Sequence, residues 1–168
     1  MMPSLHAIGA ILILALLPGL RAEEAPRDWY TRITLGPLKL GMGEEEVIAA
    51  LGAPTEKGET SEEGASGLFV TEWAWPKQGI WLTLSAEVHG GAQTVERLQI
   101  TAPSRLRTPE GIGIDSKAEQ VLAAYRSELD PETPPTGHSI VVGSLFGGMI
   151  FTLAEGVVTE IFLGAAAE

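Results

Sequence analysis

Apolar positions change their spacing twice along this chain, both times in the same order: a helical stripe first, then runs of alternation. The first stripe is Val47, Ile48 and Leu51, behind Gly43 and the acidic turn Glu44-Glu45-Glu46 and ahead of Gly52 and Pro54. A small N-cap residue, carboxylates at the positive end of the dipole and a glycine stop before proline mark both ends of a helix over 44–51. Residues 57–67 are rich in Glu, Gly and Ser and read as a loop. Leu68 to Trp75, Gly79 to Ser85 and Thr94 to Thr101 read as strands. Pro76-Lys77-Gln78-Gly79 turns between the first two and His89-Gly90-Gly91-Ala92 between the next two.

The order recurs. Val47 and Val121 stand 74 residues apart, and across 40–51 and 114–125 Glu45/Glu119, Val47/Val121, Ala49/Ala123 and Ala50/Ala124 are identical. Ser116 and Glu119 have the S-x-x-E spacing of a capping box, which predicts a helix over 117–127. After the breaker-rich stretch Asp130 to Pro135, strands are predicted at Ser139 to Leu145, Met149 to Ala154 and Val157 to Leu163. Leu82-Thr83-Leu84 matches Phe151-Thr152-Leu153 at an offset of 69, and Val95 to Ile100 matches Val158 to Leu163 at 63, so the second copy has shorter loops. The prediction is an α+β fold of two tandem units, 23–104 and 105–168. Each is a short helix followed by a three- (or four-) stranded antiparallel sheet.

Alternation also assigns faces. If Ile80, Leu82, Leu84, Leu98 and Ile100 face the helices, then Trp81, Thr83, Arg97 and Gln99 face away. By the same parity Met149, Phe151, Leu153, Ile161 and Leu163 turn inward, leaving Ile150, Thr152, Glu160 and Phe162 outside. A face carrying Trp81, Ile150 and Phe162 beside Arg97 is more apolar than a solvated face should be, and these four are the candidate partner-binding residues. Two readings stay open: a contact surface, or a face covered by the segment around Trp29-Tyr30 or by a loop. Trp73 and Trp75 share one face of their strand, and alternation within that strand does not say which.

The first 22 residues have the anatomy of a secretory signal: the apolar run Ala7 to Leu17, then Pro18-Gly19 and a small residue, Ala22, as the cleavage position. The run is shorter than the roughly 20 apolar residues a membrane span needs. The segment before it has no Lys or Arg, and Leu20 is large for its place. No cysteine is present, so neither a lipid anchor nor a disulfide framework is expected. Together these predict an exported bacterial protein, periplasmic or secreted, without a stable membrane anchor after cleavage. Removing 1–22 takes away Arg21 and no acid, leaving 22 Asp plus Glu against ten Lys plus Arg. Such a charge repels phosphate backbones and argues against nucleic acid as a partner.

The stretch Leu40-Gly41-Met42-Gly43-Glu44-Glu45-Glu46-Val47 with Leu51-Gly52-Ala53-Pro54 resembles the G-M-[ST]-x-x-x-V…LG-x-P signature of small BamE-like outer-membrane lipoproteins. Two such units at this spacing resemble the β-lactamase inhibitor protein family of tandem helix-plus-sheet modules. The likeness spans roughly 35–164. Gly43 replaces the usual Ser/Thr cap, and neither a lipidated cysteine nor disulfides are present. The resemblance implies a protein-binding role, with neither target nor contact residues transferable.

Catalytic chemistry finds no footing. His89 and His138 each stand alone in turn-like settings and read as surface residues; no metal-ligand spacing, nucleophile motif or phosphate loop occurs. Glu44-Glu45-Glu46 point about 100° apart on a helix and read as a solvated first turn. Glu62-Glu63 reads as loop charge, and Gly111 to Asp115 is only a fragment of a calcium-repeat pattern. No catalytic residue, metal or cofactor is therefore expected. The expected function is that of an exported non-enzymatic protein-binding module, an inhibitor of a secreted enzyme or an envelope-assembly accessory. The alternative is a small-ligand-binding or sensor domain using the cleft between the two units. A large apolar sheet face favours the first, a closed pocket with converging polar groups the second.

Overall fold

The computed structural model describes residues 33–166. The predicted signal segment 1–22, the lead-in behind it and Trp29-Tyr30 lie outside the described residues. The fold is α+β, with two short α-helices and one antiparallel sheet of eight strands among the described residues.

Helix α1 is Glu44–Leu51. Gly43 is extended at its N-cap and its N–H donates to the Glu46 carboxylate at 2.9 Å, while Gly52, at φ +79, closes the far end on the Ile48 carbonyl. Val47 is fully buried and fastens the helix to the sheet. Strands β1 (Glu56–Lys57) and β2 (Ser61–Glu62) occupy the stretch that reads as a loop, and both pair with β3 (Phe69–Trp75). This corrects the loop expectation for residues 57–67. The pairing uses backbone groups alone, so a polar sequence does not forbid it, and it covers what would otherwise be an open edge.

A 3₁₀ turn, Pro76–Gln78, and Gly79 then reverse the chain into β4 (Ile80–Ala86), with Trp75 opposite Ile80. Gly79 has φ +66, and a Cβ there would collide with the Thr101 carbonyl oxygen. Only glycine satisfies both demands. Strand β5 (Thr94–Thr101) follows, then the long connector to helix α2 (Ala118–Ala124), and then β6 (Ser139–Val142), β7 (Gly148–Ala154) and β8 (Val157–Gly164).

The predicted capping box at Ser116 and Glu119 is displaced by one residue. Lys117 is the N-cap and its N–H donates to Gln120 Oε1 at 2.8 Å, while Ser116 Oγ accepts from Gly113 N–H at 3.0 Å. Ser116 is buried and held by that bond, so it cannot also cap the helix. Helix α2 also stops before 127. The chain leaves it at Tyr125 and lays 128–130 along β6, where Asp130 N–H donates to the Val141 carbonyl and Gly143 N–H to the Glu128 carbonyl. That backbone pairing covers part of the other sheet edge.

Strand order is β1-β3-β4-β5-β8-β7-β6, with β2 also on β3, all antiparallel. The strands expected in two separate sheets therefore lie in one, joined where β5 meets β8 through Leu98↔Leu163 and Ile100↔Ile161. One face carries the core. Leu82, Leu84, Leu98, Ile100, Met149, Phe151, Ile161 and Leu163 are at most 1 % exposed and pack with Val47 and Val121 of the helices. Burying one such side chain stabilises the fold by roughly 1.5–3 kcal/mol. The inward set is the one alternation predicts. Trp73 and Trp75 belong to it too, opposite Leu82 and Ile80, with Trp75 Nε1 donating to the Ala53 carbonyl at 3.1 Å.

Candidate functional site

The opposite, outer face of the sheet holds the four candidate residues. Pairing register aligns one transverse row across seven strands: Glu56, Ala74, Trp81, Gln99, Phe162, Ile150 and Val141. Directly opposed side chains on one face lie about 5 Å apart, so such a row is a continuous strip. Glu56 at one end is exposed, Ala74 and Val141 are buried, and Trp81, Gln99, Phe162 and Ile150 between them are partly exposed. Trp81, Ile150 and Phe162 are thus brought together as alternation requires, with Gln99 as the polar interruption. Ala74 and Val141 extend the row beyond the sequence-predicted set.

Arg97 lies one row away, level with Glu72 and Thr83. Its guanidinium donates to Glu63 Oε1 at 2.6 Å, both side chains being about four-fifths buried, so it is engaged by the β2–β3 loop. That bond, and secondarily a donation from Ser66 Oγ, holds the Glu63 carboxyl below the usual carboxylate range. Beside it Thr83 Oγ1 donates to Glu72 Oε1 at 2.7 Å, which accounts for the burial of a threonine on an outer face. Next to Arg97 the sheet carries Gly164, φ +141, where a Cβ would stand 3.0 Å from Arg97 Cγ. Glycine lets the arginine lie down along the sheet.

Two β-bulges set the local geometry. Thr83 pairs with Arg97 but Leu84 with Val95, leaving Glu96 unpaired; Thr152 pairs with Glu160 but Leu153 with Val158, leaving Thr159 unpaired. An extra residue lets two consecutive side chains share a side of the strand. With Val95 and Leu98 both in the core, Glu96 and Arg97 are left on the outer side. The sequence does carry this signal. Inward residues fall at 95, 98, 100 and at 158, 161, 163, so the same break in alternation occurs in both strands. Glu96 Oε2 is buried and has no hydrogen-bond partner among the described residues.

Sequence reasoning therefore missed Glu63, Glu72 and Glu96. Glu63 needed a contact across 34 residues that no local pattern announces. Glu72 was recoverable, since the tight turn after Trp75 ties the parity of β3 to that of Ile80. On the flank beyond Phe162 and Ile150 lies the row Thr101, Glu160, Thr152 and Ser139. Elsewhere His89 and His138 are exposed, His89 edge-on to Phe69 at 5.4 Å between ring centres. Among the described residues no group of three His, Cys, Asp or Glu could hold a metal ion, and no helix is long and apolar enough to cross a membrane.

A concave feature sits on the connector between β5 and α2. It is an open cavity of about 500 Å³ lined by residues 102–107 with Ile114 and Asp115, including Arg105 and Arg107. Arg107 donates to the Gly111 carbonyl at 2.7 Å and both arginines are exposed. No known protein family, curated protein or solved structure matches the chain, so the functional reading rests on these two surfaces.

Proposed function

We propose that this is an exported, non-enzymatic protein-binding module that uses the outer sheet face as its contact surface. One observation carries the reading: the row Trp81, Gln99, Phe162, Ile150, with large apolar side chains partly exposed on the face that carries no helix among the described residues. Aromatic side chains held on a rigid sheet give contact area at little entropic cost, and surfaces of this kind mark protein contacts. The target is a secreted enzyme to be inhibited or a component of envelope assembly. Cleavage after Ala22 delivers the chain to the bacterial periplasm or beyond.

The two-unit organisation, 23–104 and 105–168, belongs to the same reading. It is supported by hydrogen bonds that recur at the sequence offsets. Gly41 N–H to Val95 O and Val95 N–H to Met42 O have counterparts in Asp115 N–H to Val158 O and Val158 N–H to Ser116 O. The bridges Gly43↔Thr94 and Lys117↔Val157 correspond, as do the two bulges. Tandem modules fused through β5 and β8 give one wide sheet, in keeping with the resemblance to the β-lactamase inhibitor protein family.

The test is capture with the tagged full chain from the envelope fraction and medium of its host, alongside Trp81→Ala and Phe162→Ala. A protein retained by the native chain and released by both variants at unchanged melting temperature supports the reading; one retained equally by all three overturns it. The connector cavity favours a second reading, a small-ligand or sensor domain, with Arg105 and Arg107 holding an anionic group. A melting-temperature rise with small carboxylates that Arg105→Ala abolishes would favour it over the first.

A further inference from the structure

Resting on the protein-binding reading, we infer that the partner is a protein surface that sets a lysine or arginine beside an apolar side chain. The apolar row is flanked on both sides by carboxylates. Glu72 and the bulged Glu96 border it on the β3–β5 side, Glu160 on the β8 side, and Glu63 reaches over from the arm. Against these four stands Arg97, already occupied by Glu63. The face is thus acidic around an aromatic strip, in a chain of net charge −11. Such a field steers cationic partners in and rejects anionic ones.

Glu96 sharpens the inference. A buried carboxylate oxygen without a donor is unfavourable in the free protein, because desolvation is not offset. The bulge holds it there, beside an arginine whose guanidinium is committed elsewhere. The side chain is partly exposed, so a donor arriving with the partner satisfies it once the carboxylate turns outward. Glu96 stands three residues along β5 from Gln99, on the same side of the sheet, so a cation that reaches it can bring an apolar neighbour over the row. Gln99, next to Trp81 in the row and two residues from Arg97, lies where that neighbour would cross it.

The experiment is selection of a displayed random-peptide library on the full chain, then solution binding of the selected peptides to native and variant chains. The expected peptides carry Lys or Arg beside Trp, Phe or Leu. Their affinity falls about tenfold or more in Glu96→Gln and again between about 0.05 and 0.5 M salt. Trp81→Ala and Phe162→Ala abolish binding while circular-dichroism melts confirm the fold. Peptides that need Trp81 but lack basic residues, or ignore Glu96→Gln, overturn the inference and leave the protein-binding face standing. Peptides indifferent to both Trp81 and Phe162 overturn both. Recovery of no binder, or a dimer in sedimentation that Trp81→Ala dissolves, overturns the inference as well.

Discussion

Arg97 on β5 and Glu63 on the loop after β2 meet at 2.6 Å across 34 residues of chain, and this pair ties the polar arm, residues 57–67, to the outer face in addition to its backbone pairing with β3. Glu63→Gln and Arg97→Ala should each destabilise by about 1 kcal/mol, as for a charge-assisted bond that is only partly buried and so partly screened by solvent. A double-mutant cycle from urea melts checks it. The coupling should account for most of either single effect, and additive single effects would show the arm is held by something else.

The same pair fixes a pH dependence. Arg97, and secondarily Ser66, lower the Glu63 carboxyl, so its contribution is present above the unfolded value of about 4.3 and is lost as pH falls through the folded one. Between about pH 5 and pH 3 the urea midpoint should therefore fall more steeply in the native chain than in Glu63→Gln. Parallel curves would refute the assignment.

Trp81 and Leu82 are neighbours on opposite faces, and they should respond oppositely. Leu82→Ala empties a core position that is 1 % exposed and should cost about 2–5 kcal/mol. Trp81→Ala should cost less than about 1.5 kcal/mol of stability while removing on the order of 2 kcal/mol or more of partner affinity. A stability loss at Trp81 as large as that at Leu82 would make the outer face a second core.

Gly79 tests the turn between β3 and β4. Gly79→Ala forces a side chain into the left-handed region and against the Thr101 carbonyl. The expected loss is about 2 kcal/mol or more, read from thermal or urea melts, because steric overlap adds to the conformational cost. Gly137, where a Cβ meets nothing, is the control and should tolerate alanine.

Tyr125 is buried, with its hydroxyl donating to Glu110 Oε2 at 2.6 Å and its ring 5.6 Å from that of Phe151. Burial first, then the bond to Glu110, raises the phenol well above its ordinary range. Its contribution is present below the unfolded value of about 10 and is lost only as pH rises beyond it. In an alkaline absorbance titration one of the two tyrosines should ionise only with unfolding. Tyr125→Phe should remove that step and cost about 1 kcal/mol.

The face assignment was legible in the sequence because alternation is a local property. Once Leu82, Leu84, Ile161 and Leu163 are inward, Trp81 and Phe162 have nowhere else to go. Helix α1 was legible for the same reason, since Gly43 acts with Glu46 at one end and Gly52 with Ile48 at the other, each within about one turn. Even the bulges left a trace, in the three-residue step from Val95 to Leu98 and from Val158 to Ile161.

Other features belong to the tertiary structure alone. That β5 pairs with β8, making one sheet instead of two, depends on backbone hydrogen bonds, which carry no side-chain identity to read. The same holds for the polar strands β1 and β2, recruited by an open edge and not by their own composition. Glu63 reads as loop charge until folding brings it to Arg97, and Glu96 becomes an unsatisfied acceptor only when its neighbours close around it. The sequence by itself determined which side chains of β4 and β8 turn outward and where helix α1 begins and ends, because those preferences act over a few residues. Which strands became neighbours, which charges were paired and which carboxylate was left alone were decided by packing between distant segments, where many pairings are locally equivalent and only the complete fold selects one.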